Sequence, residues 1–416
     1  MWTRRAFLKT GGLALYSLGV EPRFMDRLAM ASTGDTSRPK ILVSIFLRGA
    51  MDGLMAVPPL GEEQALRRFR PRLAMGGARS EADRILDLDG QFGLHPAFAP
   101  LQPYWQDGRL AVVHGVGSPN PTRSHFDAQD YMETGTPWRK GTSSGWLNRL
   151  TQRVPGNSSS FTAVSVTPEL PRSLYGEYPA LAIPDLAGFK LGQLHDHLDR
   201  ETVGEHLELL YDEGAGGSLR QHGSDMFEAL RIVSQREFKN YRTRRGAHYP
   251  TSRLGQSLLQ IAYLIRAGVG LRVACAESDG WDTHVGQGKI GGPFAHRARD
   301  LARSIAAFWS DIEPFQDDVV VLTMTEFGRT VRENGSNGTD HGHGSCLFAL
   351  GNQVDGGRIY GNLPALEPDA LFEGRDLPVT TDFRAVFSEV AGKLYGLSDD
   401  SQIFPGWSGS RLPLLW

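Results

Sequence analysis

The densest group of chemistry-bearing side chains in this 416-residue sequence is Asp340-His341-Gly342-His343, with three candidate metal ligands in four residues. A second group, Asp282-Thr283-His284, sets a carboxylate and an imidazole two residues apart. In an extended segment those two side chains point the same way. Asp52 adds a carboxylate, although Asp52-Gly53 is also ordinary turn chemistry. Carboxylate oxygens mixed with imidazole nitrogens suit zinc, manganese or iron better than calcium. Two divalent ions about 4 Å apart can clamp the attacking and leaving oxygens of a phosphoryl centre. Asp52, Asp279, Asp282, His284, Asp340, His341 and His343 supply enough donors for one or two ions. Ser124 is the candidate nucleophile. Ser-x-x-Asp127 also reads as a helix cap, and a serine there sits in the positive field of a helix start, which stabilises an oxyanion. Arg48, Arg123 and Arg329 could grip an anionic substrate bidentately, or be solvated or ion-paired. The remaining histidines lack such company and read as surface or core residues.

Each of these residues follows an apolar, β-rich run. Ile41–Leu47, Leu110–His114, Leu271–Ala276, Val319–Thr325 and Cys346–Leu350 read as strands buried on both faces. Helical spacing appears at Ser124–Glu133, 225–241, 254–267, Arg297–Ile312 and Thr381–Tyr395. Alternating strands and helices predict an α/β fold, a mostly parallel central sheet sandwiched between helices. In such sheets ligands bind beyond the carboxyl ends of the strands. Four strand ends leading to carboxylates or histidines therefore suggest one common site. Stretches 154–192 and 333–345 are rich in Gly and Pro and read as loops, the first as an inserted lobe within a single domain spanning 32–416.

The start carries Arg4-Arg5, then Phe7-Leu8-Lys9 and an apolar run from Gly11 to Val20. That run is too short to span about 30 Å of hydrocarbon. Residues 1–31 therefore read as a twin-arginine signal peptide. The expected partner during export is the twin-arginine translocase, and the expected location is periplasmic or extracellular, without stable membrane insertion. With net charge −3 and acids and bases evenly spread, nothing resembles the basic face of a nucleic-acid binder. Cys275 and Cys346 sit in two of the strands and read as buried thiols.

The run from Ile41 through Leu47-Arg48-Gly49-Ala50-Met51-Asp52-Gly53-Leu54 resembles the DUF1501 family. So do Arg123–Gly135, Gly280–His284, Thr325–Thr330, Gly338–Gly342 and Thr380–Arg384. That family looks like a relative of the alkaline phosphatase, sulfatase and phosphoglycerate mutase superfamily. The resemblance implies an alkaline-phosphatase-like fold with a two-metal site at one sheet edge. It implies Asp52, Asp340 and His341 on one ion, and Asp282, His284 and His343 on the other. Ser124 would be the nucleophile. Here the Asp-x-x-x-His spacing of the superfamily is shortened to Asp282-x-His284, and the last histidine follows closely on Asp340-His341. A Cys-x-Pro-x-Arg maturation pattern is absent from both cysteines.

The expected activity is an exported hydrolase of phosphate or sulfate esters. It would use Ser124, Arg48 and Arg329 with zinc or manganese on an anionic ester. The alternative is a non-catalytic exported protein on the same fold that binds a polysaccharide or another envelope component.

Overall fold

The computed structural model describes residues 38–75, 84–155, 159–186, 238–244 and 246–416. The signal-peptide expectation and most of the 225–241 helix lie outside the described residues.

The strands are β1 (Ile41–Leu47), β2 (Leu86–Asp87), β3 (Gly93–Leu94), β4 (Leu110–Gly117), β5 (Ala163–Ser165), β6 (Leu181–Ala182), β7 (Val273–Ser278), β8 (Val319–Met324), β9 (Arg329–Glu333), β10 (Thr339–His341), β11 (Ser345–Leu350), β12 (Ile359–Tyr360) and β13 (Thr381–Asp382). The central sheet runs β12-β4-β11-β8-β1-β7-β5-β6, with β13 also on β4. β6, β5, β7, β1 and β8 are parallel. β11 runs antiparallel to both β8 and β4, which makes the sheet mixed.

β1 shows why an almost wholly apolar strand belongs in the middle. Ile41, Val43, Ile45 and Leu47 enter one core, whereas Leu42 and Phe46 enter the core on the opposite face. The period of two thus divides one strand between two buried layers. The first layer is closed by α3 (Arg253–Ala267) and α4 (Pro293–Asp311). α3 contributes Leu254, Leu258, Ile261 and Ile265 at helical spacing. The Ser252 side chain caps its first turn, and Gly268 in the left-handed region ends it. The second layer is closed by α5 (Phe383–Tyr395), through Phe383, Val386, Phe387, Val390 and Leu394. Asp382 caps that helix.

The carboxyl ends of β1, β4, β7 and β8 feed the loops that carry the candidate residues. The 333–345 stretch, expected to be a loop, is partly a hairpin: β10 pairs antiparallel with β9. Cys275 and Cys346 are free and buried in β7 and β11. Among the described residues, no helix is long and apolar enough to cross a membrane.

Candidate metal centre

The loop after β4 leads into α2 (His125–Thr134). Ser124 occupies the cap position with extended backbone, and Gly135 ends the helix in the left-handed region. Residues four apart share a helix face, and α2 uses that face for polar groups. His125 and Gln129 both reach the Glu326 carboxylate, at 2.8 and 2.9 Å, while Glu133 one turn on reaches Arg48. Glu326, just past β8, is buried, and it also accepts from the Gly49 N–H at 2.8 Å. Burial alone would raise its pKa; the hydrogen bonds from His125, Gln129 and the backbone outweigh that and hold it below the usual range. His125 is raised in turn, chiefly by its hydrogen bond to Glu326.

Three histidines meet at Asp282, and each is pinned at Nδ1 by an oxygen. His125 donates from Nδ1 to Glu326. His341 donates from Nδ1 to the Arg123 carbonyl at 2.8 Å, and His284 to Asp340 at 2.9 Å. These acceptors assign the tautomers, because a carboxylate or carbonyl can only accept. In the neutral imidazoles every Nε2 is then a lone pair. His284 Nε2 and His341 Nε2 lie 2.9 Å apart, and they stand 3.0 and 3.3 Å from Asp282 Oδ1. His125 Nε2 is buried, has no hydrogen-bond partner, and faces Asp282 Oδ2 at 3.6 Å. Donor atoms of His125, Asp282 and His341 all fall within 4.8 Å of one another.

Two imidazole lone pairs at such a distance repel each other. A proton on one or a cation between them removes the repulsion. Burial lowers the pKa of His341, which disfavours a proton on that ring. A tetrahedral zinc site with metal–nitrogen distances of about 2.0–2.1 Å holds its donors about 3.3 Å apart, close to the spacing found here. Donor chemistry, donor spacing and the orphaned His125 Nε2 thus all fit a divalent ion. The Nδ1–oxygen bonds are the outer interactions that orient metal-binding histidines. Phe327 lies beneath two of the rings, 4.9 Å from His125 and 5.0 Å from His341.

Asp282 is itself oriented by Arg329, whose Nη1 donates to Oδ1 at 2.6 Å. Burial would raise the Asp282 pKa, but the Arg329 hydrogen bond and charge carry it below normal. Arg329 is buried and spends its other nitrogens on the Thr339 hydroxyl and carbonyl, so it serves the centre from behind. Gly49 makes the close approach of the β1 and β7 loops feasible. Its φ is 113°, and a Cβ there would stand 2.5 Å from the Asp282 nitrogen. Gly338 does the same for the hairpin, where a Cβ would meet the His284 carbonyl at 2.3 Å.

The structure thus brings together Asp282, His284 and His341, with Asp340 holding His284 in place. Hydrogen bonding to Asn334 and His284 keeps Asp340 ionised below its ordinary pKa. It places Asp52 and His343 elsewhere. Asp52 is buried: Oδ2 accepts from Arg70 and Gln287, both at 2.7 Å, and Oδ1 from the Met55 N–H. His343 donates from Nε2 to the Ser118 carbonyl and packs its ring on Phe372. Arg48 is bound to Glu133, Glu277 and Gln129; desolvation opposes its charge, yet the two carboxylates raise its pKa. Arg123 pairs with Asp376 and Glu373. Ser124 is exposed, and its hydroxyl makes no cap hydrogen bond.

Sequence reasoning passed over His125 and Glu326. Both satisfy the strand-end criterion, His125 directly after Ser124 and Glu326 two residues past β8. The cap pattern at Ser124 masks its neighbour. Nothing local marks Glu326 as a carboxylate whose donors come from Gly49, His125 and Gln129.

Among curated proteins, no sequence matches this chain. Of solved structures, the PsFucS1 sulfatase from Pseudoalteromonas is 10% identical, with TM-score 0.37 over 94% of this chain and 77% of that one. The C-terminal periplasmic domain of EcEptC from Escherichia coli, complexed with Zn, is 10% identical, with TM-score 0.35 over 77% and 74%. An alkaline phosphatase PafA mutant is 11% identical, with TM-score 0.33 over 71% and 64%. The family model described as "Protein of unknown function (DUF1501)" matches residues 39–405, and the chain belongs to that family.

Proposed function

We propose that the protein is an exported, metal-dependent hydrolase of phosphate or sulfate esters, with one divalent ion, zinc or manganese, held by His125, Asp282, His284 and His341. The observation that carries the metal reading is the convergence of three Nε2 atoms on one carboxylate, each imidazole pinned at Nδ1. A single ion fits better than two, because Asp52 is committed to Arg70 and Gln287, His343 is bonded at Nε2 to Ser118 and packed on Phe372 with no place among the atoms around Asp282, and Arg329 already supplies positive charge to Asp282. When bound, a divalent ion supplies Lewis-acid stabilisation of charge developing on the ester oxygens.

The chain's own groups do the rest. Glu326, the Arg123 carbonyl and Asp340 fix the three imidazoles in the tautomer that presents Nε2. Arg329 keeps Asp282 ionised and aimed. Ser124, exposed at the start of α2 and free of a cap bond, is the nucleophile in this reading: its oxygen bonds to phosphorus or sulfur as the bond from that atom to the ester oxygen breaks, the serine proton ends on the departing alcohol, and water then cleaves the seryl ester, returning a proton to Ser124 and releasing phosphate or sulfate. The peptide between Arg123 and His125 ties that serine to two of the ligand histidines, through the Arg123 carbonyl and through His125 itself. Export rests on Arg4-Arg5 and the apolar run that follows them. An Arg4→Lys/Arg5→Lys variant is expected to accumulate in the cytoplasm.

The test is turnover of p-nitrophenyl phosphate and p-nitrophenyl sulfate by protein reconstituted with Zn²⁺ or Mn²⁺. The expected result is metal-dependent hydrolysis of one ester, lost in Ser124→Ala and in His341→Ala. Stoichiometric metal without turnover of either ester would overturn the hydrolase. It would select the second reading, a non-catalytic envelope or polysaccharide-binding protein. That reading is favoured by one observation, the commitment of Arg48, Arg123 and Arg329 to ion pairs.

A further inference from the structure

A cleft of about 270 Å³ opens beside the centre, lined among others by Phe69, Arg332, Asp340, Leu371 and Arg375. It touches the centre twice. Asp340 is both a wall of the cleft and the acceptor for His284 Nδ1. Arg375 is another wall and donates from Nη2 to the His341 carbonyl at 2.6 Å. The floor is apolar, since Phe69 and Leu371 are buried.

Two carboxylates and two arginines line the cleft, so its formal charge is zero, but the four groups are not equally engaged. Its two carboxylates are spoken for: Glu333 holds Arg72, and Asp340 holds His284 and Asn334. Arg332 differs from the other arginines at this end of the sheet. It is exposed on β9 and lies 4.9 Å over the Phe69 ring. Among the described residues its guanidinium has no acceptor and no ion pair. A ring beneath a guanidinium holds its plane while leaving the fork of N–H donors free, the geometry that meets a phosphate, sulfate or carboxylate two bonds at a time. The volume falls just below the about 300–1,000 Å³ typical of ligand pockets, room for one sugar-sized unit.

We infer that this cleft is an anion subsite: it takes the non-reacting part of the substrate, a small ring such as a sugar that carries a second phosphate, sulfate or carboxylate, and Arg332 grips that second anion. The inference rests on the hydrolase reading for the identity of the first anionic group. The cleft's own chemistry stands independently of it. The three arginines first expected to hold an anion are engaged elsewhere, and the residue left for that task is one that neither the strand-end criterion nor any motif marked.

The experiment is calorimetric titration of the metal-loaded full chain with glucose 1,6-bisphosphate and with glucose 1-phosphate. It uses the native protein, Arg332→Gln and Arg332→Lys, with Ser124→Ala in every background to stop turnover. Among the described residues no hydrogen bond or ion pair joins the Arg332 side chain to a member of the centre, so the substitutions are expected to leave the ligand histidines in place, and thermal melting checks the fold. The expected result is bisphosphate bound about tenfold more tightly than monophosphate, the advantage lost in Arg332→Gln and mostly lost in Arg332→Lys. Equal affinities for both probes in the native protein, or an advantage that survives Arg332→Gln, would overturn the subsite. Repeating the titration in His341→Ala separates the two ideas. An Arg332-dependent advantage that persists there supports the cleft even if the hydrolase reading fails. Metal-dependent turnover in the ester assay of the native protein, combined with titrations that show no Arg332 dependence, removes the cleft and leaves the hydrolase.

Discussion

Asp52 and Asp282 each follow a parallel strand, and each is ion-paired to a buried arginine, Arg70 and Arg329. In sequence they are the same kind of candidate, yet their surroundings are opposite. The Asp52 side chain is 1% exposed, its oxygens taken by Arg70, Gln287 and a backbone N–H. Its histidine neighbours are complete as well: His95 and His114 each donate from Nε2 to a carbonyl and accept a backbone N–H at Nδ1. The Asp282 side chain is 42% exposed; His125 has only Nδ1 satisfied, and the Nε2 atoms of His284 and His341 meet only each other and Asp282. The lesson is that a carboxylate with histidines nearby marks a centre only where the second imidazole nitrogen is left open. Where both are bonded, the same residue types make a core.

The contrast breaks most visibly under removal of Asp52. An Asp52→Ala variant leaves Arg70 buried and unpaired, so unfolding stability in denaturant should drop by about 3–5 kcal/mol. Asp282→Ala also strands a buried arginine, Arg329, but removing a side chain that is 42% exposed opens its Nη1 to water, so the loss should be smaller. Equal losses would remove the distinction between a closed and an open pair.

Acid should act on the same closed region. Burial holds His95 and His114 at about 4, down from the usual 6.5. The unfolded chain binds these two protons near pH 6.5, and the folded chain refuses them until about pH 4. Stability is therefore complete above about pH 6.5 and falls as pH drops toward about 4, by up to about 3 kcal/mol per histidine. His114→Gln should flatten the pH dependence of the melting temperature in that window; an unchanged profile would contradict the assignment of His114 as a neutral core group.

Glu326 sharpens the open side. Glu326→Gln replaces an anionic acceptor for His125 Nδ1 with a neutral one, and metal affinity should weaken about 10–100-fold. Competition with a chelator reads that change. Affinity within twofold of native would mean that His125 is not a ligand.

The smallest effect is expected at Ser124. A capping serine costs about 0.5–2 kcal/mol when replaced by alanine, but this hydroxyl makes no cap bond. Ser124→Ala should shift stability by less than about 0.5 kcal/mol while abolishing ester hydrolysis.

Much of the fold was legible because β1, β4, β7 and β8 are apolar runs and α3 and α5 keep helical spacing. Asp282, His284 and His341 were legible because strand ends converge in a parallel sheet. His343 shows the limit of counting neighbours along the chain. Gly342 separates it from His341, yet His341 bonds to Arg123 and His343 to Ser118. His125 and Glu326 form a pair 201 residues apart, and Arg332 stands out only because its neighbours are paired. None of these properties exists before the chain is folded.

Elemental mass spectrometry of purified native protein, Asp52→Asn and Asp282→Asn tests the central contrast most directly. One equivalent of zinc or manganese is expected in the native protein and in Asp52→Asn, and none in Asp282→Asn. Metal lost from Asp52→Asn while Asp282→Asn retains it would contradict the account and return Asp52 to the metal centre.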